Sequence, residues 1–133
     1  MVAILVDPMF HYWTLTGDAR IPEMVVKWCD FLERHGLQPD GRSAYYVINC
    51  SARDSGGLPS RVQGDMTRHN TEMSYQFAVG IYFTPEAAGR QVYQERIQKL
   101  FAAVQDKDLN QTARAFNWAF QANSSTSCYT SEK

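Results

Sequence analysis

Hydrophobic residues recur at steps of three and four along four stretches of the chain, which is the spacing of an amphipathic α-helix. The clearest stretch has apolar side chains at Tyr93, Ile97, Leu100, Phe101 and Val104. Taken together, the four stretches predict helices over residues 3–15, 20–35, 69–83 and 86–105. The pattern therefore predicts an all-α fold built from two antiparallel α-hairpins.

Turn residues mark the ends of the predicted helices. Asp18, in the turn Thr16-Gly17-Asp18, is a suitable N-cap for the second helix, and Gly36 is a suitable stop at its end. The segment Thr84-Pro85-Glu86 combines a cap, a first-turn proline and an acid that the helix dipole favours. It therefore predicts the start of the fourth helix.

The two halves of the chain form a weak internal repeat. The turn at Thr16 and the turn at Thr84 lie about 68 residues apart. At this offset the apolar positions of the second helix align with those of the fourth, pairing Val25, Cys29 and Leu32 with Tyr93, Ile97 and Leu100. Two α-hairpins do not close a globule alone, because each buries its flanks against a neighbouring hairpin. We therefore expect residues 1–133 to be a single domain that is part of a larger array.

The connection between the two copies, residues 37–65, is rich in glycine and proline. A connection of this length in a compact domain is usually functional or poorly ordered. Residues 44–48 within it have β-type composition and predict a short strand or an extended segment. The Ser- and Thr-rich residues 123–133 predict a flexible tail.

Composition narrows the function classes. The chain has 133 residues, of which 44% are hydrophobic, and this is enough to build a packed core. The formal charge of -1 gives no basic field, so nucleic acid is not an expected partner. The longest apolar start, residues 2–6, is interrupted by Asp7 and Pro8, so neither a membrane span nor a secretory signal is expected.

Three cysteines without metal-ligand spacing predict neither a zinc site nor a disulfide framework. Cys29 lies on an apolar helix face and is expected to be a core residue. A bridge between Cys50 and Cys128 is left open by the sequence. No metal or cofactor motif is present, and nucleotide binding and serine esterase chemistry are disfavoured.

Three segments suggest a family: residues 12–21 (YWTLTGDARI), 65–73 (DMTRHNTEM) and 114–120 (RAFNWAF). They resemble the last hairpins of α/α-toroid catalytic domains of polysaccharide lyases and six-hairpin glycoside hydrolases. In those domains a Thr-Gly-Asp turn joins an inner helix to an outer one, and the starts of inner helices line a carbohydrate cleft.

The resemblance implies that the chain is a fragment of an enzyme acting on acidic glycans, by β-elimination or else by glycosidic hydrolysis. A full toroid needs about ten to fourteen helices, so the isolated chain is expected to be inactive. The resemblance implies an oligosaccharide or polysaccharide as partner and a periplasmic or secreted parent. The chain itself carries no signal that fixes its location.

The most specific candidate residues lie at the start of the third helix. His69, Glu72 and Gln76 are spaced by three and four, so they share one helix face. In a carbohydrate cleft His69 would move a proton, Arg68 would pair with a uronate carboxylate, and Glu72 would hold the imidazole ring. The alternative is a solvated face on which Glu72 and His69 only bond to each other.

A second set of candidates lies in the long connection and near the C-terminus. Tyr45 and Tyr46 are candidate catalytic or sugar-stacking residues, and Arg42 is a candidate for binding the sugar carboxylate. The alternative is that the tyrosines cap the core. Trp118 is a candidate sugar platform or else a hydrophobic anchor for the C-terminal segment.

A different class of function is also open. Hairpins with exposed apolar flanks can act as a repeat module that binds a protein partner. The same flanks predict self-association of the isolated chain. Convergence of Tyr45, Tyr46, Arg68, His69 and Glu72 on one concavity would favour the carbohydrate hypothesis, and a broad apolar outer surface would favour the partner hypothesis.

Overall fold

The computed structural model describes residues 2–45, 47–49, 60–62 and 67–106. These residues are mostly helical, as predicted. The helices are α1 (Val2–Thr16), α2 (Arg20–Phe31), α3 (Asn70–Phe83) and α4 (Ala87–Gln105). A π-helical turn, Leu32–Gly36, continues α2, and a 3-10 turn, Thr67–His69, leads into α3. The four predicted helices are therefore confirmed, with ends that differ by a few residues.

The turn between α1 and α2 forms as its residue types predict. Gly17 has a positive φ of 65°, a conformation that favours glycine. Asp18 Oδ1 accepts a hydrogen bond from the backbone N–H of Arg20 at 3.0 Å. Asp18 therefore satisfies one of the free N–H groups at the start of α2.

The turn between α3 and α4 differs from the prediction. No side-chain hydrogen bond caps α4, and Thr84 Oγ1 donates back to the carbonyl of Gly80 at 2.7 Å. The prediction that Thr84 caps α4 is therefore wrong, because its hydroxyl is used by the end of α3. Arg90 Nη1 instead donates to the carbonyl oxygens of Thr84 and Pro85 at 3.0 and 2.5 Å.

Helix α3 is the centre of the fold. It packs along α4 and also contacts α1 and α2. Every residue from Met73 to Ile81 is buried, including polar ones. A helix covered on all sides does not need one apolar stripe, which is why α3 mixes Ser and Gln with Phe and Val.

The other helices bury one face each against α3. In α2 and α4 the positions aligned by the internal repeat lie in this core: Val25, Cys29, Tyr93, Ile97 and Leu100 are buried, and Leu32 is partly buried against the same cluster. The free thiol of Cys29 is fully buried, so the prediction of a core cysteine is confirmed.

Part of the long connection lies within the described residues. Residues 37–44 close a tight turn in which Gln38 N donates to the carbonyl of Ser43 at 2.8 Å. Strands β1 (Val47–Asn49) and β2 (Ser60–Val62) then pair antiparallel, with Ile48 opposite Arg61. A short strand is therefore present within this connection, beginning inside the predicted segment at residues 44–48. The predicted tail, residues 123–133, lies outside the described residues, as do Cys50 and Cys128. None of the described helices is long and apolar enough to cross a membrane.

Candidate functional site

The candidate site begins with a paired histidine and glutamate at the start of α3. His69 ends the 3-10 turn, and Glu72 lies in the first turn of α3. Their side chains approach to 2.8 Å between Nδ1 and Oε2, and they are 23% and 16% exposed. The predicted contact is therefore present, in a setting that is neither fully solvated nor closed to solvent.

This contact sets the chemistry of the imidazole ring. A carboxylate accepts a hydrogen bond from the ring nitrogen that carries the proton, which is here Nδ1. In the neutral ring the other nitrogen, Nε2, is then the basic one. Glu72 therefore orients His69 and selects the tautomer that a general base would need.

Asn70, the residue between His69 and Thr71 at the start of α3, connects three elements. Its side chain is fully buried, and Nδ2 donates to the carbonyl oxygens of Arg42 at 2.7 Å and Leu100 at 3.0 Å. It thus ties the turn after α2 and the end of α4 to the first residue of α3. Sequence reasoning missed this role, because the two carbonyl groups that Asn70 binds are 28 and 30 positions away in the chain.

Asn70 binds the backbone carbonyl of Arg42 and so holds Arg42 near the start of α3. The Arg42 side chain also forms an ion pair. Its guanidinium forms an ion pair with the carboxylate of Asp106, the residue that follows α4. The two side chains are 46% and 64% exposed. A ligand carboxylate at Arg42 would therefore compete with Asp106 in a solvated setting, where an exchange of ion pairs has a small free-energy difference.

The structure describes only some of the remaining predicted site residues. Tyr45 is half-buried, and its backbone N–H donates to the carbonyl of Gly36 at 2.9 Å, which holds it beside the end of α2. The backbone of Arg68 lies in the 3-10 turn next to His69. The side chain of Arg68 lies outside the described part of the structure, as do Tyr46 and Trp118.

The predicted polar stripe ends after one turn of helix. Gln76 is only 2% exposed, and its backbone carbonyl lies 3.4 Å from the thiol of Cys29. It is therefore a core residue, and its inclusion in a ligand-facing or solvated stripe is wrong. The physical reason is that α2 covers α3 at this level, one turn beyond Glu72.

The start of α3 combines charges of both signs. The first N–H groups of a helix carry partial positive charge, and Arg68 precedes α3 by two residues in the chain, whereas Glu72 lies in its first turn and the charge of Arg42 is paired with Asp106. Within the described ranges, no group of three His, Cys, Asp or Glu side chains is arranged to hold a metal ion.

Comparisons with protein-family models, with curated proteins and with solved structures give no match to this chain.

Proposed function

We propose that the chain is part of an α/α-toroid domain that cleaves an acidic polysaccharide by β-elimination, with the start of α3 facing the sugar. The observation that supports this proposal best is the contact of 2.8 Å between His69 Nδ1 and Glu72 Oε2 at a helix N-terminus. The turn sequence at residues 15–18 and the internal repeat are consistent with a toroid. We propose that the hairpins of this chain belong to a complete ring of such hairpins.

The proposed reaction needs a base and a carboxylate-binding group. His69 Nε2 takes the proton on the carbon next to the uronate carboxylate. The electron pair of that C–H bond forms a carbon–carbon double bond, and the glycosidic C–O bond on the neighbouring carbon breaks. The leaving oxygen takes up a proton, so no water is consumed. Arg68, with the first N–H groups of α3, stabilises the charge that builds up on the carboxylate.

Tyr45 and Tyr46 are the proposed source of the proton for the leaving oxygen, because a phenol near the sugar can donate one. Arg42 is proposed to bind a carboxylate of a neighbouring sugar in exchange for Asp106. Trp118 remains a proposed stacking surface for a sugar ring.

The test is a measurement of unsaturated product by ultraviolet absorbance, with polyuronates as substrates and the longer parent protein as enzyme. His69→Ala is expected to lower the rate by about 100-fold or more, as for loss of a general base. Glu72→Gln is expected to lower it less, because the ring keeps its base and loses its orientation. Binding of uronate oligosaccharides to the chain itself is measured by calorimetry, where Arg68→Ala is expected to weaken affinity.

His35→Ala is the matched control, because His35 packs against Phe31 at the end of α2 and lies in the other half of the chain. Its rate and affinity are expected to stay at the level of the unaltered protein. Equal rates for His69→Ala and the unaltered protein, with circular dichroism unchanged, would remove His69 from the mechanism.

A second candidate function is a helical module that binds a protein, and the outer face of α1 favours it. Leu5, Tyr12 and Leu15 are spaced by seven and three, so they lie on one face. They are 50%, 48% and 86% exposed, whereas Val6 and Phe10 on the opposite face are buried. A row of exposed apolar side chains on one helix is typical of an interface.

A second copy of this chain is the partner that fits this face best. The acidic side chain of α1, Asp7, lies 3.6 Å from His11, and the helix contains no Lys or Arg. Two copies can therefore meet across a two-fold axis without opposing like charges. A helix of 15 residues is only ~22 Å long, so the contact is small and the dimer is expected to be weak.

Sedimentation velocity over a range of concentrations tests this second candidate. Leu15→Glu is expected to abolish the concentration-dependent dimer. Val92→Glu is the control, because it places the same charge at another exposed apolar position, on α4. A monomer at every concentration, or equal loss of dimer in both variants, would reject the α1 face as the interface.

A further inference from the structure

Three buried side-chain oxygens in the first turns of α3 have no hydrogen-bond partner among the described residues. They are Asn70 Oδ1, Thr71 Oγ1 and Ser74 Oγ. The three residues are 0%, 3% and 0% exposed. Buried polar atoms are nearly always paired, so three such atoms within five residues require an explanation.

The three residues lie close together on the helix. Ser74 is four residues after Asn70 and three after Thr71, and residues at these spacings are neighbours on one helix surface. The orientation of the Asn70 amide is fixed, because Nδ2 donates to the carbonyls of Arg42 and Leu100. Its Oδ1 is therefore an acceptor that needs a donor at this place.

The chemistry of the three groups selects the kind of molecule that fits. All three are neutral, and a cation is disfavoured beside the positive end of a helix dipole. An anion would face the acceptor Oδ1 of Asn70 and would lose its hydration without a charged partner. A small neutral molecule that both donates and accepts satisfies the amide oxygen and the two hydroxyls. Water has these properties and the size for a buried polar site.

We propose that the first turns of α3 contain a site for an internal water molecule, bound by Asn70, Thr71 and Ser74. This proposal does not depend on the carbohydrate activity. The water holds the amide of Asn70 in the orientation that ties the turn at Arg42 and the end of α4 to α3. The residue before Asn70 is His69, so this water is a positioning element for the candidate site.

The sign of a stability change tests the proposal. If water bridges the hydroxyls, Thr71→Val removes a hydrogen bond and is expected to lower the melting temperature by roughly 3–6 °C. Thr71→Ser, which keeps the hydroxyl, is expected to recover part of that loss. If the hydroxyl is unpaired instead, its removal leaves the melting temperature unchanged or higher, and that result would overturn the proposal.

Thr84→Val is the matched control, because Thr84 is also buried and its Oγ1 has a known partner, the carbonyl of Gly80. It is expected to lower the melting temperature by a similar amount. A direct readout is the nuclear Overhauser effect between long-lived water and the amide protons of residues 70–74. Loss of this effect in Thr71→Val supports the site, and its absence in the unaltered chain rejects it.

Discussion

Gly80 in α3 lies directly against Cys29 in α2. A β-carbon placed on Gly80 would be 2.6 Å from Cys29 Sγ and 3.3 Å from Cε2 of Tyr93 in α4. Real β-carbons do not approach other atoms as closely as the first of these distances. The three helices therefore meet at Gly80 at a separation that only glycine permits.

Gly80→Ala is expected to destabilise the fold. In an open helix this change would stabilise by about 0.5–1 kcal/mol, because alanine is the better helix former. Here the added methyl group overpacks a closed core, which costs about 1–3 kcal/mol, so we expect a net loss of about 1–2 kcal/mol. Urea unfolding followed by circular dichroism measures the free energy of unfolding.

Combining Gly80→Ala with Cys29→Ala is the control for this prediction. Cys29→Ala removes the thiol that the new methyl group would contact. The double variant is therefore expected to be more stable than the sum of the two single changes, by about 1 kcal/mol. If the two losses of stability are additive, the methyl group clashes with atoms other than the Cys29 thiol.

Arg96→Lys is expected to lower the free energy of unfolding by about 1–2 kcal/mol. Arg96 in α4 binds Glu33 through Nε and Nη2 at 2.5 and 2.6 Å, and the side chains are 26% and 20% exposed. This hydrogen-bonded partner also raises the pKa of Arg96. Lysine keeps the positive charge but cannot form the two parallel hydrogen bonds. The decrease in the free energy of unfolding therefore measures the contribution of this two-bond geometry.

Lys27 provides the comparison for Arg96. Its ion pair with Glu23 is also short, at 2.6 Å, but the side chains are 71% and 66% exposed. Lys27→Ala is expected to change the free energy of unfolding by less than about 0.5 kcal/mol. If both variants lose the same free energy of unfolding, then burial and the two hydrogen bonds do not make the Arg96 contact more stabilising than the exposed Lys27 contact.

Asp18 should make stability fall in acid. Hydrogen bonds from the Arg20 side chain and backbone N–H lower the pKa of Asp18 to about 2. Its ordinary value is 3.8, so its stabilisation is complete above about pH 4 and is lost as the pH falls towards 2. Asp18→Asn keeps a capping oxygen and is expected to flatten this part of the pH profile. A carbon NMR titration in which Asp18 protonates near its ordinary value would contradict the prediction.

Helix positions were predictable from sequence because they follow from local rules. The period of three and four, the Gly17 turn and the Asp18 cap act within a few residues, and α1 to α4 begin and end close to their predicted bounds. The burial of Gln76 was not predictable in this way. It depends on α2 covering α3, a contact between residues 47 positions apart.

The candidate site was predictable only in its local part. The pairing of His69 with Glu72 follows from their spacing of three on a helix. The role of Asn70 and the partner of Arg42 depend on how α3 meets α4 and the turn at residues 37–44. Sequence spacing carries no information about such distant pairs, so Asp106 could not be predicted as the partner of Arg42.

The contact region at Gly80 also predicts a loss of stability in alkali. Burial raises the pKa of the Cys29 thiol, and burial followed by a hydrogen bond to Asp30 raises the pKa of Tyr93. The Tyr93 hydroxyl donates to Asp30 Oδ1 at 2.6 Å, so the ionised ring would lose this bond beside a carboxylate. Both groups thus hold their protons more tightly in the folded chain than in the unfolded chain.

For groups with raised pKa values, stabilisation is complete below the pKa of the unfolded chain and is lost as the pH rises above it. The ordinary values are 9.0 for Cys29 and 10.0 for Tyr93, so the melting temperature should fall above about pH 9. In a background with Cys50→Ser and Cys128→Ser, Tyr93→Phe and Cys29→Ala are each expected to lessen the slope of this fall. Tyr12→Phe, at an exposed position, is expected to keep it. Equal slopes in all variants would contradict this prediction. They would show that ionisation of neither the Cys29 thiol nor the Tyr93 hydroxyl causes the loss of stability in alkali.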